Sequence, residues 1–176
     1  NARITDVSIH HIPGDLTDNY NPREHTLNLS DKVYGSRSIA AIGVAAHECG
    51  HAIQHARHYV PLTVRSAIIP AANIGSSFAW PLVLIGLIIP RLNFCMTIGI
   101  LLFSLVVILQ LVTLPVEFNA SRRAIQIIRD SGYLAPDELK GAKSVLKAAA
   151  MTYVAAMVSV SLQLLRLVIL RNSRDD

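Results

Sequence analysis

Hydrophobic and polar positions are distributed unevenly along this chain. Residues 1–65 alternate between the two as a water-exposed segment does. Beyond them, Ser66 to Pro90 and Leu92 to Val116 are runs of 25 residues each without a charged side chain. An α-helix needs roughly 20 residues to cross a bilayer core. A third apolar run, Ala148 to Leu165, continues through Arg166 to Leu170, and an arginine near the end of a span can snorkel to the interface. Core helices of a large soluble protein are the alternative, but too little chain remains to cover three of them. Membrane spans are therefore predicted at 66–90, 92–116 and 148–170. Pro70, Asn73 and Pro81 predict a kink or split in the first span. Trp80, unusual at mid-run for an interfacial anchor, suggests that Ser66 to Ala79 begins as a separate helix near the surface.

The polar segments show shorter periods. Val7 to Ile12 and His25 to Leu29 alternate like half-buried strands. Between them, Pro13-Gly14-Asp15 and Asp18 to Pro22 are turn chemistry. Ile39 to Ala56 reads as one helix, with Ser36 or Ser38 as its N-cap. Residues 117–129 have apolar side chains at helical spacing, and Gly132 suits a C-cap. Pro136-Asp137-Glu138 then opens a further helix in the favoured order, one that can run straight into the last span. No internal repeat or low-complexity segment is visible.

Composition supports the membrane assignment. The chain is 52% hydrophobic and 16% charged, with a mean hydropathy of +0.42, whereas soluble domains carry about a quarter charged residues. Two cysteines, Cys49 and Cys95, provide no disulfide framework and read as packing residues. The chain begins with Asn1 rather than Met and shows no signal peptide. It reads as a fragment or processed product that a membrane helix could precede.

The chemistry is concentrated in His47-Glu48-Cys49-Gly50-His51, an H-E-x-x-H pattern inside the Ile39–Ala56 run. Residues i and i+4 share a helix face, so both imidazoles can reach one Zn²⁺ and the glutamate can act on water at the metal. The pattern fixes only three positions and arises by chance in exposed helices. Here the flanks are alanine, isoleucine and valine, and burying three polar groups without a partner costs several kcal/mol. A metal would supply that partner.

A catalytic zinc usually takes a third protein ligand. The extended form H-E-x-x-H-x-x-G-x-x-H requires glycine at 54 and histidine at 57, and this chain has Gln54 and Arg57. His55 and His58 are wrongly spaced, and His55 reads as an interface or supporting residue. A glutamate on another helix is the other option. Glu117 is the strongest candidate: two antiparallel spans joined by a tight turn at Pro90-Arg91 would return the chain to the face that carries the motif. Pairing of Glu117 with Arg122 or Arg123 is the competing expectation, and Glu138 and Asp130 are weaker ligand candidates.

Ala45 to Gln54 together with Leu114 to Ala124 resembles the neutral zinc metallopeptidase family of bacterial multi-pass membrane proteins. Tyr20 to Arg23, Leu29-Ser30 and Ser38 to Ala41 match the same pattern. The resemblance covers most of the chain. It implies a membrane protease with zinc and supports Glu117 as third ligand, the gluzincin type. A more distant similarity is to membrane proteases of the prenyl-protein-processing and heat-shock type, whose third ligand sits in E-x-x-A-D. Glu117 and Ala120 match, but Ser121 stands where the aspartate that orients a zinc-bound histidine would be. Asn119 or another residue must take that role, or none does.

The expected fold is mainly α with a small β element (α+β), a zincin-like catalytic unit fused to about three transmembrane helices. It would form a single domain over 1–176: a polar catalytic part at 1–65, spans at 66–90 and 92–116, a polar active-site helix and loop at 117–147, and a span at 148–170. The expected activity is that of a zinc metallopeptidase, an endopeptidase rather than an exopeptidase. Zn²⁺ is expected to be bound by His47, His51 and Glu117, with Glu48 as general base. Tyr20, Tyr153, His55 and Arg122 are open candidates for oxyanion stabilisation. An edge strand within 5–30 could hold an extended peptide by strand addition.

Expected partners are a peptide or protein substrate and the lipid bilayer, with no nucleic acid. Two rivals stand beside this reading. A non-catalytic zinc-binding membrane protein, a sensor or chaperone, would not need Glu48. An interaction protein with an accidental motif would hold no zinc. Charge sets the expected orientation. Residues 1–65 carry six Lys and Arg, starting at Arg3, and 117–147 carry another six, against Arg91, Arg166, Arg171 and Arg174 elsewhere. Basic short loops stay cytoplasmic, so a cytoplasmic active site in the cell membrane is expected.

Overall fold

The computed structural model describes residues 4–175, with side chains through Ser173. Arg3 and the Arg174 side chain lie outside the described residues. The fold is mainly α with a small sheet: β1 (Ser8–His11), β2 (Asn19–Asn21), β3 (Thr26–Leu29), then α1 (Ile39–Ala56), α2 (Val60–Ile88), α3 (Asn93–Ser131) and α4 (Pro136–Asp175). By compactness the chain divides into two units. One comprises Asn1–Leu62 and Val116–Met151, and the other Thr63–Pro115 and Thr152–Asp176.

In the first unit the sheet order is β1-β3-β2. β1 runs parallel to β3, with Ser8 opposite Thr26, and β2 runs antiparallel to it, with Tyr20 opposite Leu27. The two alternating runs are strands as expected. β2 falls within the Asp18 to Pro22 stretch that reads as a turn from its Asn and Asp content. Pairing with β3 overrides local propensity there, because Asn28 Nδ2 also donates to Asn19 Oδ1 across the ladder (3.0 Å). Asp18 ties the start of β2 to the end of β3: its carboxylate accepts from the backbone N–H and hydroxyl of the fully buried Ser30.

Ser38 caps α1, its hydroxyl accepting from the Ala41 N–H at 3.1 Å. Helices α1, α3 and α4 share a core of Ala46, Ala124, Ile128, Ala142 and Leu146. Gly132, at φ +68°, follows the end of α3. Glu138 Oε2 accepts the Ala135 N–H (2.8 Å) at the start of α4, so that carboxylate closes a helix end.

In the second unit, α2 is one helix with Pro70 and Pro81 inside it, not two segments. Trp80 packs edge-on against Phe103, with ring centroids 6.1 Å apart, and this contact accounts for an indole at mid-span. The chain reverses through a 3₁₀ turn at Pro90–Leu92. The core comprises Ala79, Val83, Met96, Ile100, Phe103 and Leu167. The outer surface is apolar as well: Ile74 and Leu101 are each more than 60% exposed, with Phe78, Leu162 and Ile169 also open. Water would penalise such a surface and lipid would not. Three helices are long and apolar enough to cross a membrane. Each of the two later spans forms one continuous helix with the polar segment beside it.

The approach of α2 to α3 depends on small residues. A Cβ at Gly99 would lie 2.7 Å from the Ala79 carbonyl oxygen, so Gly99→Ala must push the helices apart. The expected outcome is a loss of about 1–3 kcal/mol, read as a lower unfolding midpoint in detergent, with Gly43→Ala, a helical glycine at which an added carbon would meet no atom closer than 3.9 Å, showing no such loss.

Candidate metal centre

The site is assembled from α1 and α3. His47 and His51 lie one turn apart on α1 and their rings meet edge-on, with centroids 4.7 Å apart. Glu117 on α3 is 2% exposed. Its Oε2 lies 3.1 Å from His47 Nε2 and 3.6 Å from His51 Nε2. The three potential ligand atoms are within 4.8 Å of one another. Two atoms bonded to one tetrahedral Zn²⁺ at about 2.0–2.1 Å are separated by roughly 3.3 Å, so the spacing suits this ion.

Both helices can come this close because Gly50 lacks a side chain. A Cβ there would lie 2.5 Å from the carbonyl oxygen of Ala120, and Ala120 is itself fully buried. The second variable position of the motif is therefore a contact point between backbones.

Each histidine is also held from behind. His51 Nδ1 lies 2.9 Å from Gln54 Oε1. Gln54 is fully buried, and its Nε2 donates to the Val116 carbonyl (2.8 Å) and to Asn119 Oδ1 (3.1 Å). Asn119 Oδ1 also accepts from Arg123 Nε (2.8 Å). Arginine can only donate, which identifies the Asn119 atom as oxygen. The Gln54 atom facing Asn119 and Val116 must then be its NH₂, so the one facing His51 is its oxygen. His51 Nδ1 must therefore carry the proton, and its Nε2 lone pair is directed at the cluster. His47 Nδ1 lies 3.2 Å from Ser121 Oγ, a hydroxyl that can accept the same kind of bond. This is how metal-binding histidines are usually supported, and the donor set fits zinc.

Glu48 is buried. Burial pushes its carboxyl above the ordinary range, with His51 and His47 opposing and Glu117 and Asp18 reinforcing the shift. Burial also depresses the His51 imidazolium, but the neighbouring Glu117 carboxylate outweighs this and holds it above the usual histidine value.

The structure brings His47, His51 and Glu117 together and sets the other candidates apart. Glu138 caps α4, and Asp130 lines a cleft with Cys49. Arg123 engages Asn119. Tyr20 OH is hydrogen-bonded to His55 Nδ1 at 3.0 Å, a turn beyond His51. Sequence reasoning missed Gln54 and Ser121. Apart from their places in the resembling stretches, Gln54 entered it as a mismatch to glycine and Ser121 as a mismatch to aspartate. Both carried a usable signal: Gln54 is three residues from His51 and Ser121 four from Glu117, so each shares a helix face with a ligand candidate. Asn119, the proposed substitute for the aspartate, acts one step further out, through Gln54.

The family described as "Putative neutral zinc metallopeptidase" matches residues 1–172. "Putative membrane protease YugP" of Bacillus subtilis (strain 168) is 48% identical over 174 residues, which is 98% of this chain and 77% of that relative. No solved structure is significantly similar to the chain.

If the supporting bonds set ligand orientation, Gln54→Ala and Ser121→Ala should each weaken zinc binding about 10–100-fold while leaving the fold intact. Chelator competition on purified protein, with circular dichroism beside it, measures both. Unchanged affinity in both variants would remove the orienting role.

Proposed function

We propose that this chain, which belongs to the neutral zinc metallopeptidase family, is a multi-pass membrane endopeptidase with zinc bound by His47, His51 and Glu117. The observation that carries the reading is the convergence of three ligand atoms from two helices within 4.8 Å, with the His51 lone pair aimed inward by Gln54. Zinc bound there supplies Lewis acidity, lowering the pKa of water and polarising a carbonyl. Glu48 supplies the base: its Oε accepts the proton of the attacking water and passes it to the leaving amine. The raised pKa of Glu48 suits a group that must hold a proton between those steps.

The relative's printed description as a membrane protease and the candidate spans support a substrate that reaches the site at a bilayer. Charge supports the orientation. With both six-charge segments on one side, that side is cytoplasmic, and the turn at Arg91 faces outward.

Glu48→Gln should retain zinc and lose peptide cleavage by about 10²–10⁴-fold, whereas His47→Ala and His51→Ala should lose both. Glu117→Ala should lose zinc and Glu138→Ala should not. Metal analysis paired with cleavage of a quenched peptide reads all of these. Wild-type turnover by Glu48→Gln would dismiss Glu48 as the base.

Orientation has its own test. In intact cells, on a background without Cys49 and Cys95, a membrane-impermeant thiol reagent should label Arg91→Cys and spare Lys140→Cys. The reverse pattern would place the site outside the cell.

A further inference from the structure

Behind α1 lies a cleft of about 710 Å³, lined among others by Val7, Ile9, Ile53, Ile127, Arg57 and Arg123. This volume is typical of ligand sites. Successive residues of a helix are displaced by about 100°, so Cys49 and Ile53 point away from the face that carries His47 and His51. The cleft is a separate site.

Two features identify what would fit it. The first is an open strand edge. In the parallel β1–β3 pair, Ser8 N–H donates to the His25 carbonyl and Ile12 N–H to that of Leu29. Residues 8, 10 and 12 therefore turn their backbone groups toward β3, and the alternation leaves those of Val7, Ile9 and His11 on the opposite edge. β1 is the outer strand, and among the described residues nothing pairs with that edge. Ile9, 63% exposed, borders the cleft from it.

The second feature is charge. Arg57 and Arg123 line the apolar walls with Asp130 as the one acid, and no salt bridge among the described residues joins either arginine to a carboxylate. Arg123 uses its Nε on Asn119, which leaves its terminal nitrogens for a ligand.

We propose that this cleft is an exosite for an extended, mainly apolar peptide segment with acidic side chains. The segment adds as a strand to the free edge of β1, places apolar residues against Ile9, Ile53 and Ile127, and pairs its carboxylates with Arg57 and Arg123. Main-chain bonds give such a site affinity, and the side-chain positions give it selectivity. The occupant is a part of the substrate distant from the scissile bond, and in this respect alone the inference rests on the metallopeptidase reading.

The test uses the full chain in detergent, zinc-loaded and carrying Glu48→Gln, with the probe fluorescein-Gly-Val-Thr-Val-Thr-Val-Thr-Glu-Thr-Glu-amide, whose valines and glutamates share one face of a strand. Fluorescence anisotropy should show saturable binding. Ile9→Pro removes an outward N–H that β3 does not use, and it should weaken binding at least tenfold, as should Arg57→Glu. Replacing the two glutamates of the probe by lysine should do the same. Binding should persist in His51→Ala. A photoreactive benzoylphenylalanine at the central valine should cross-link unmutated cleft residues, which keeps the test valid if a variant misfolds. Binding unchanged by Ile9→Pro and Arg57→Glu, or cross-links confined to the metal centre, would overturn the exosite. A short quenched peptide lacking the acidic segment reports on the peptidase independently. If the protein cleaves it but does not bind the probe, the exosite fails and the peptidase stands. If the protein binds the probe but cleaves nothing, the substrate assignment fails and a peptide-binding cleft remains.

Discussion

The contact on which the rest of the site depends is between two stretches of backbone, Gly50 on α1 and Ala120 on α3. It lets the helix axes approach closely enough for a short carboxylate, Glu117, to lie between two imidazoles 70 and 66 positions away in sequence. Any side chain at position 50 would meet the Ala120 carbonyl and hold the helices apart by a few tenths of an ångström or more. Ligand geometry tolerates little such displacement, since zinc bonds are defined to about 0.2 Å. The small residues along α3, Ala120 and Ala124, are both fully buried, and Ala124 joins the core shared with α1 and α4.

Close packing brings the donors together, and the hydrogen bonds behind them determine which atom faces inward. A histidine presents its lone pair from whichever nitrogen lacks the proton, so the tautomer matters as much as the position. At His51 the choice propagates from Arg123, which cannot accept a bond, through Asn119 and Gln54. The Val116 carbonyl, one residue before Glu117, fixes the same amide. The backbone that carries one ligand candidate thus helps orient another. A fully buried glutamine would cost stability if any of its groups were unpaired, and here its oxygen and its NH₂ are both engaged.

Much of this was legible in the sequence. The helix period around H-E-x-x-H, the chargeless runs and the Ser38 cap all express local rules, and all appear in the structure. Glu117 could be singled out because a turn at Pro90-Arg91 reverses the chain. What was not legible depends on contacts between distant segments. β2 is a strand because β3 is beside it, although Asn19 and Asn21 favour a turn. Pro70 and Pro81 lie inside a continuous helix, as prolines do more readily in membrane helices than in soluble ones. Gln54 and Ser121 looked like failed matches because each motif was read for the residue it expects. Hydrogen-bond acceptance by a glutamine or a hydroxyl can replace that of a carboxylate, and only the packed geometry reveals the replacement.

The two acidic residues of the centre are distinguished by their surroundings. Glu117 lies between the Nε2 atoms of both histidines, and the two imidazoles match its charge locally. Glu48 shares the turn of α1 but not that position. Burial dominates its environment, and the favourable field of the histidines is partly cancelled by Glu117 and Asp18. A carboxylate whose charge is fully matched is a good ligand and a poor base. One whose charge is only partly matched in a buried setting takes up a proton more readily. Environments that separate neighbouring acids in this way assign them different roles. The proposed division of roles, ligand at Glu117 and base at Glu48, therefore rests on where the imidazoles sit rather than on the carboxylates themselves.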